Sequence, residues 1–218
     1  MLKQKYIRDV LNKLYEMYPD AHCELNHSTP FELLIATVLS AQTTDKKVNQ
    51  VTEKLFKEYK TPQDFLKLSQ EELEIKIKEI GLYKSKAKNI LGLCEALITN
   101  FNGEVPKTID ELVTLPGAGK KTANVVVSNA FNIPALAVDT HVFRVSNRIG
   151  LADGKNVVEV EEQLMKKIPE EEWIIAHHTL IFHGRRICVA RNPKCSECAI
   201  NYTCKFFLKN EKEKSKIN

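Results

Sequence analysis

No stretch of this 218-residue sequence approaches the roughly 18 uninterrupted apolar residues of a membrane helix, so a helical span is not expected. Strand signals are almost missing as well. The one candidate, Ala135–Val138, is short and follows Pro134, and it reads as an extended connector. No internal repeat and no low-complexity linker interrupts the chain. No secretory leader opens it, and Lys and Glu are abundant, so a cytoplasmic, reducing setting is expected in which adjacent disulfides are disfavoured. Net charge is only +4, modest for a protein that grips nucleic acid, and its distribution therefore matters more than its sum.

That distribution is uneven. Between Arg185 and Lys194 stand three Arg and one Lys with no acid, and Lys205–Asn218 holds five Lys against two Glu. Acidic residues gather in Glu71–Glu79 and Glu159–Glu172, where a solvated helix face is the simplest reading. Hydrophobic content of 43% supplies a real core, and the length suits one large or two small domains.

Helix starts are written plainly. Thr29-Pro30-Phe31-Glu32, Thr61-Pro62-Gln63-Asp64, Ser69-Gln70-Glu71-Glu72 and Thr108-Ile109-Asp110-Glu111 each place a hydroxyl three residues ahead of an acid. In a capping box the two side chains satisfy each other's free backbone N–H groups; the three Glu sequences fit it, and Asp64 is a poorer partner. Two starts carry Pro at the first helical position. Phe31, Leu34, Ile35, Val38 and Leu39 fall at helical spacing, which predicts one buried face. Gly81, Gly103, Gly150 and Gly154 read as caps or turns. The fold class is all-α.

Four thiols stand within seventeen residues as Cys188-x6-Cys195-x2-Cys198-x5-Cys204. In a reducing compartment they point to metal. Zinc sites of four cysteines usually show two C-x2-C knuckles, and only one is present; a clustered run with unequal gaps lies closer to 4Fe–4S ligation. Cys23 and Cys94 read as buried free thiols, and His177, His178 and His183 as structural, since they share no ligand spacing with the cysteines.

Leu115-Pro116-Gly117-Ala118-Gly119-Lys120-Lys121 lies between a helix beginning at Thr108 and one from about Lys121 to Phe131. Two alternate glycines let the backbone turn sharply and approach a ligand, and the following helix N-terminus favours phosphate. The Gly-Lys-Ser/Thr ending of a mononucleotide P-loop is missing. No charged residue occurs from Thr122 to Val138, and then Asp139-Thr140-His141 follows. The helix advances about 15 Å at 1.5 Å per residue. The connector returns about 13 Å at 3.3 Å per residue, which brings Asp139 back toward the level of Lys121. Taken singly, Asp139 reads as the N-cap of a helix over 141–150 and Lys121 as a phosphate contact beside Lys120.

Together these segments resemble the endonuclease III family of helix–hairpin–helix DNA glycosylases and abasic-site lyases. The likeness runs through Thr-Pro-Phe-Glu-Leu-Leu-Ile-Ala, Leu-Ser-Ala-Gln-Thr-Thr-Asp, Gly-Leu-Tyr-Lys-Ser-Lys-Ala, Leu-Pro-Gly-Ala-Gly-Lys-Lys-Thr-Ala-Asn-Val-Val and Val-Asp-Thr-His to the four cysteines. It implies two helical domains with a DNA cleft between them. One is a six-helix barrel over 22–133 with its hairpin at about 108–131; the other, holding a 4Fe–4S cluster, combines 1–21 with 134–218. It implies repair of oxidised pyrimidines in duplex DNA, by a monomer in the nucleoid-associated cytoplasm. Lys121 then corresponds to the nucleophilic amine and Asp139 to the catalytic carboxylate, and a lysine that attacks must lose its proton, helped by burial or a second cation such as Lys120. Asp139 at a helix start is expected to stay ionised.

Further roles implied by the resemblance are DNA contacts. Gln42 and Leu82 would fill the hole left by a flipped nucleotide, Leu82 otherwise being an ordinary core leucine. Gly117, Gly119 and Lys120 would meet the backbone, His141 would face DNA or support the cap, and Arg191 and Lys194 would be presented to phosphates by the Cys188–Cys195 loop. A related adenine mismatch glycosylase is disfavoured because Ala36-Thr37-Val38-Leu39 offers no carboxylate and Lys121 is present. A non-catalytic iron–sulfur DNA-binding protein would not need Lys121 and Asp139 together.

Overall fold

Hydroxyl caps start most of the helices, as their local sequences dictate. The computed structural model describes residues 2–215, apart from the side chains of Gln4 and Lys214; Lys216, the last lysine of the basic C-terminal stretch, lies outside them. In chain order the described residues form α1 (Gln4–Met17), α2 (Pro30–Ser40), α3 (Asp45–Glu58), α4 (Pro62–Phe65), α5 (Gln70–Ile77) and α6 (Tyr83–Phe101). They continue with α7 (Ile109–Leu112), α8 (Lys120–Phe131), α9 (Thr140–Ile149), α10 (Val157–Met165), α11 (Trp173–Arg186) and α12 (Lys205–Lys214). Among the described residues there is no strand.

The capping boxes close differently from expectation. Ser69 and Glu72 form one, and so do Thr61 and Asp64, whose Oδ2 accepts from the N–H groups of both Lys60 and Thr61. The Glu32 carboxylate instead reaches past Thr29 to the N–H of Ser28 at 2.6 Å, and Glu111 is held by the hydroxyl of Thr108 at 2.6 Å. Asp64 reaches the residue before its cap as Glu32 does, but it also keeps the N–H of the cap itself, so its box closes.

The chain divides into two compact units, Cys23–Ile133 and Met1–His22 with Pro134–Asn218. The division falls one residue later than expected, and the His22 ring packs edge-on against Phe182 at 5.9 Å within the second of these.

At the centre of Cys23–Ile133 lies α2, which packs against α3, α6 and α8. Its residues Phe31–Leu39 are all buried, so the single buried face read from the sequence is a correction: neighbours cover this helix all round. Truncating one of its fully buried leucines to Ala would cost about 2–5 kcal/mol. The other unit has its own core, to which α1 gives Ile7, Val10, Leu11 and Leu14, α9 gives Val142, Val145 and Ile149, and α11 gives Ala176 and Leu180. Leu136 and Val138 of the connector enter it too, and the Ala137 carbonyl is met by the His177 ring at 2.7 Å. One carbonyl of this buried, non-helical segment thus has a side-chain partner.

Candidate active site and cysteine cavity

Within Cys23–Ile133, α2, α3, α4, α5 and α7 begin with Thr29, Thr44, Thr61, Ser69 and Thr108, each side chain accepting a backbone N–H from the first turn. Two helices break the pattern. α6 starts after Leu82 and α8 after Gly119, neither with a side-chain cap. Both lie where the sequence pointed to DNA contacts.

The hairpin before α8 is pinned by buried Leu112, Leu115 and Ala118, with the Ala118 N–H on the Leu115 carbonyl at 3.0 Å. Its two glycines differ. Gly117 has φ +79°, and a Cβ there would meet Asn89 of α6 at 3.0 Å, so the turn itself needs glycine. Gly119 has φ −85°, which any residue adopts, and a Cβ there would stand in open space. Neither backbone nor packing requires its glycine; what it leaves is bare main chain at a helix N-terminus. Lys120 and Lys121 follow as the first two residues of α8, both exposed. Burial, one of the two aids weighed for Lys121, is therefore not present, and the second cation, Lys120, stands beside it in sequence.

Gln42 and Leu82 are exposed, Leu82 at 59% of its surface, which rules out the core-leucine alternative. Both are left-handed, with φ +55° and +59°, a conformation costing about 1–3 kcal/mol in a non-glycine residue. Gly81 seats the two segments together, its Cβ direction pointing at the Gln42 carbonyl 3.5 Å away and the Thr43 hydroxyl 3.6 Å away.

In the other unit Asp139 is the N-cap of α9, its Oδ1 accepting from the N–H groups of His141 and Val142, both at 2.8 Å. Oδ2 takes no hydrogen bond among the described residues. The half-buried His141 thus supports the cap through its backbone, and its ring lies 3.2 Å from Arg144. Burial above all lowers the affinity of that imidazole for a proton, and Arg144 and Arg185 act in the same sense.

Cys188, Cys195, Cys198 and Cys204 line one pocket, walled by Ile149, His183, Ile187, Pro193, Ile200 and Phe206 among others. Among the described residues no three His, Cys, Asp or Glu side chains converge on a single-ion site. Zinc would need its sulfurs about 2.3 Å from one point. The four thiols share one pocket, so a metal-containing group held by all of them fits their placement. Burial pushes the Cys198 thiol up to about 11, so its thiolate form calls for positive charge in the cavity. His183 is structural, bonded to the Tyr18 hydroxyl at 3.0 Å, but it also lies 3.7 Å from the Cys198 sulfur.

Three functional supports escaped the sequence reading. Arg144 donates to the Cys188 and Gly184 carbonyls at 3.1 and 2.8 Å. Arg148 donates to those of Val189 and Ala190 at 2.7 and 2.9 Å, holding the start of the loop that carries exposed Arg191 and Lys194. Lys86 of α6 is buried and donates to three acceptors. Each acts on residues more than thirty positions away, and residue type alone gave no signal.

Residues 35–170 match the HhH-GPD superfamily base excision DNA repair protein family. Endonuclease III of Bacillus subtilis (strain 168) is 53% identical over 214 residues, covering 98% of each chain. The chain belongs to the endonuclease III family. Endonuclease III of Escherichia coli (strain K12) is 50% identical over 91% of this chain and 94% of its own. A solved trapped endonuclease III–DNA covalent intermediate, an estranged-adenine complex, superposes with TM-score 0.93 at 55% identity, over 97% of this chain and 100% of that one. As a member of this family the chain is a DNA glycosylase and abasic-site lyase of base excision repair. No described helix is long and apolar enough to cross a membrane.

Proposed function

We propose that this enzyme removes oxidised pyrimidines from double-stranded DNA, and cleaves abasic sites, with Lys121 as nucleophile and Asp139 as its carboxylate partner. The observation that carries this reading is the start of α8, where bare backbone at Gly119 is followed by Lys120 and Lys121, the first two residues of the helix. A phosphate held there puts a primary amine one residue along the helix from the strand it must attack. The amine of Lys121 bonds to C1′ as the C1′–N bond to the base breaks, and the base departs with a proton. The C1′–O4′ bond of the resulting N,O-acetal then opens, O4′ taking a proton, and leaves a protonated imine that acidifies C2′; loss of a C2′ proton then breaks the bond to the 3′ phosphate oxygen. Asp139, anchored through one oxygen, has the other for the positive charge that develops at the sugar.

DNA contact is assigned to Gly117, Gly119 and Lys120 at the hairpin, to Gln42 and Leu82 as side chains entering the duplex, and to His141, Arg191 and Lys194. Cys188, Cys195, Cys198 and Cys204 would hold a 4Fe–4S cluster, and their meeting at one pocket with the unequal spacing of the four thiols in sequence supports it. Its contribution there is rigidity under the Arg191–Lys194 loop. Such an enzyme works at the nucleoid in the cytoplasm.

Gly119→Ala separates ligand approach from folding. Its melting temperature should match or slightly exceed the parent's, since the backbone is permissive and the space open. Affinity for duplex DNA should fall about tenfold, the order of one lost charge-assisted contact. Undiminished affinity would remove the hairpin from the interface.

The choice of base tests the function itself. Ala36–Leu39 is buried and carries no carboxylate, and the nearby Glu32 is committed to Ser28, so no acid on α2 stands ready to protonate adenine. Oxidised pyrimidines stack poorly and leave more readily, which lowers the cost of flipping. On a denaturing gel, a duplex with thymine glycol opposite adenine should be nicked, while one with adenine opposite 8-oxoguanine should release no adenine. Adenine release without thymine-glycol cleavage would overturn the reading.

A further inference from the structure

We propose that Lys86 is the positioning residue for the two side chains that enter the duplex, Gln42 and Leu82, holding both of their segments from beneath. The inference rests on the assignment of Gln42 and Leu82 as DNA-inserting residues. Lys86 is 4% exposed, in the first turn of α6 that Leu82 begins. Its backbone N–H bonds the Leu82 carbonyl at 3.1 Å. Its ammonium donates to the carbonyls of Leu39 at 2.9 Å and Ala41 at 2.5 Å, and to the Thr43 hydroxyl at 3.3 Å.

Three N–H bonds meet three acceptors, so the nitrogen has no lone pair left for chemistry and serves as a cation. Its acceptors close the C-terminal end of α2, where helix carbonyls lack partners and positive charge is favoured. The neighbouring carbonyls are already served, Thr37 by the Ser40 hydroxyl at 2.8 Å and Ser40 by the Thr43 N–H at 3.0 Å. Gln42 lies between two of the residues that Lys86 holds. One side chain therefore ties the left-handed Gln42 to the left-handed Leu82, and both would be free to relax without it. A merely structural lysine could cap α2 from anywhere; this one caps it from the helix whose first residue follows the wedge.

The test is a double-mutant cycle on the full-length enzyme. Lys86→Met keeps the buried stem and removes the three donors. The readout is the rate on a thymine-glycol duplex divided by the rate on a single-stranded abasic oligonucleotide, which needs no strand opening. Lys86→Met should lower this ratio about tenfold, and should blunt the rise in 2-aminopurine fluorescence opposite the lesion, yet lower the ratio no further when Leu82→Ala and Gln42→Ala are already present. An equal extra fall in that background would make Lys86 a general fold residue and overturn the proposal. So would a normal ratio for Lys86→Met when Leu82→Ala is impaired, with the wedge assignment left standing. Normal behaviour of Leu82→Ala and Gln42→Ala together sinks the wedge assignment and this inference with it. If thermal melting shows that Lys86→Met does not fold, the half-buried Thr43→Val, which removes one acceptor at the loop surface, enters the same cycle with the same outcomes at smaller size.

Discussion

Lys121→Gln should lose strand cleavage by more than about a thousandfold, as removal of a covalent nucleophile does, while binding to duplex DNA stays within a few-fold of the parent. The reasoning separates chemistry from grip. The hairpin backbone around Gly117 and Gly119 and the pinning by Leu115 and Ala118 do not involve the Lys121 side chain. Being exposed, that side chain contributes no core packing, so the melting temperature should hardly move. Glutamine retains length and polarity but cannot form an imine. Single-turnover cleavage of an abasic duplex, beside a binding titration on undamaged DNA, reads both quantities. Should Lys120→Gln abolish cleavage and Lys121→Gln spare it, the wrong lysine has been named.

Asp139→Asn should slow turnover by about two to four orders of magnitude, the range for loss of a catalytic proton or charge partner, with little change in stability. The proposed function gives Asp139 a second job beside its capping role, and different substitutions separate the two. As N-cap of α9 it accepts two N–H groups through Oδ1, and asparagine caps about as well. As a carboxylate it supplies negative charge that asparagine lacks. Asp139→Ala removes both, so it should add a stability loss of about 1 kcal/mol to the rate defect. Rates compared with thermal melts for the two variants tell the jobs apart. A normal rate for Asp139→Asn would leave only the capping role.

What the sequence made legible was local. Thr29, Thr61, Ser69 and Thr108 are the N-caps their positions promised, because a hydroxyl and a backbone N–H three residues on need no tertiary help. The hairpin, the non-helical connector at 135–138 and the clustered thiols were readable for the same reason. Which Glu closes its capping box was not, since Glu32 found Ser28 and Glu111 found the Thr108 hydroxyl. Burial of α2 on every side was hidden, because periodicity reports one face and cannot count neighbours. Leu82 reads the same in sequence whether buried or exposed; its left-handed backbone is set by the fold around it. Lys86 sits between Lys84 and Lys88 in a run that looks solvated, and its acceptors lie more than forty residues earlier. Arg144 and Arg148 likewise serve carbonyls forty or more residues ahead.

The central claim, that the Lys121 amine forms the covalent bond to the sugar, is tested most directly by locating that bond. The wild-type enzyme is mixed with an abasic duplex and reduced with borohydride, and the protease-digested adduct is sequenced by mass spectrometry. The account predicts a single deoxyribose-derived mass on the peptide containing Lys121, at Lys121 itself. An adduct on Lys120, on another lysine or on the terminal amine, or no adduct while cleavage proceeds, would contradict it.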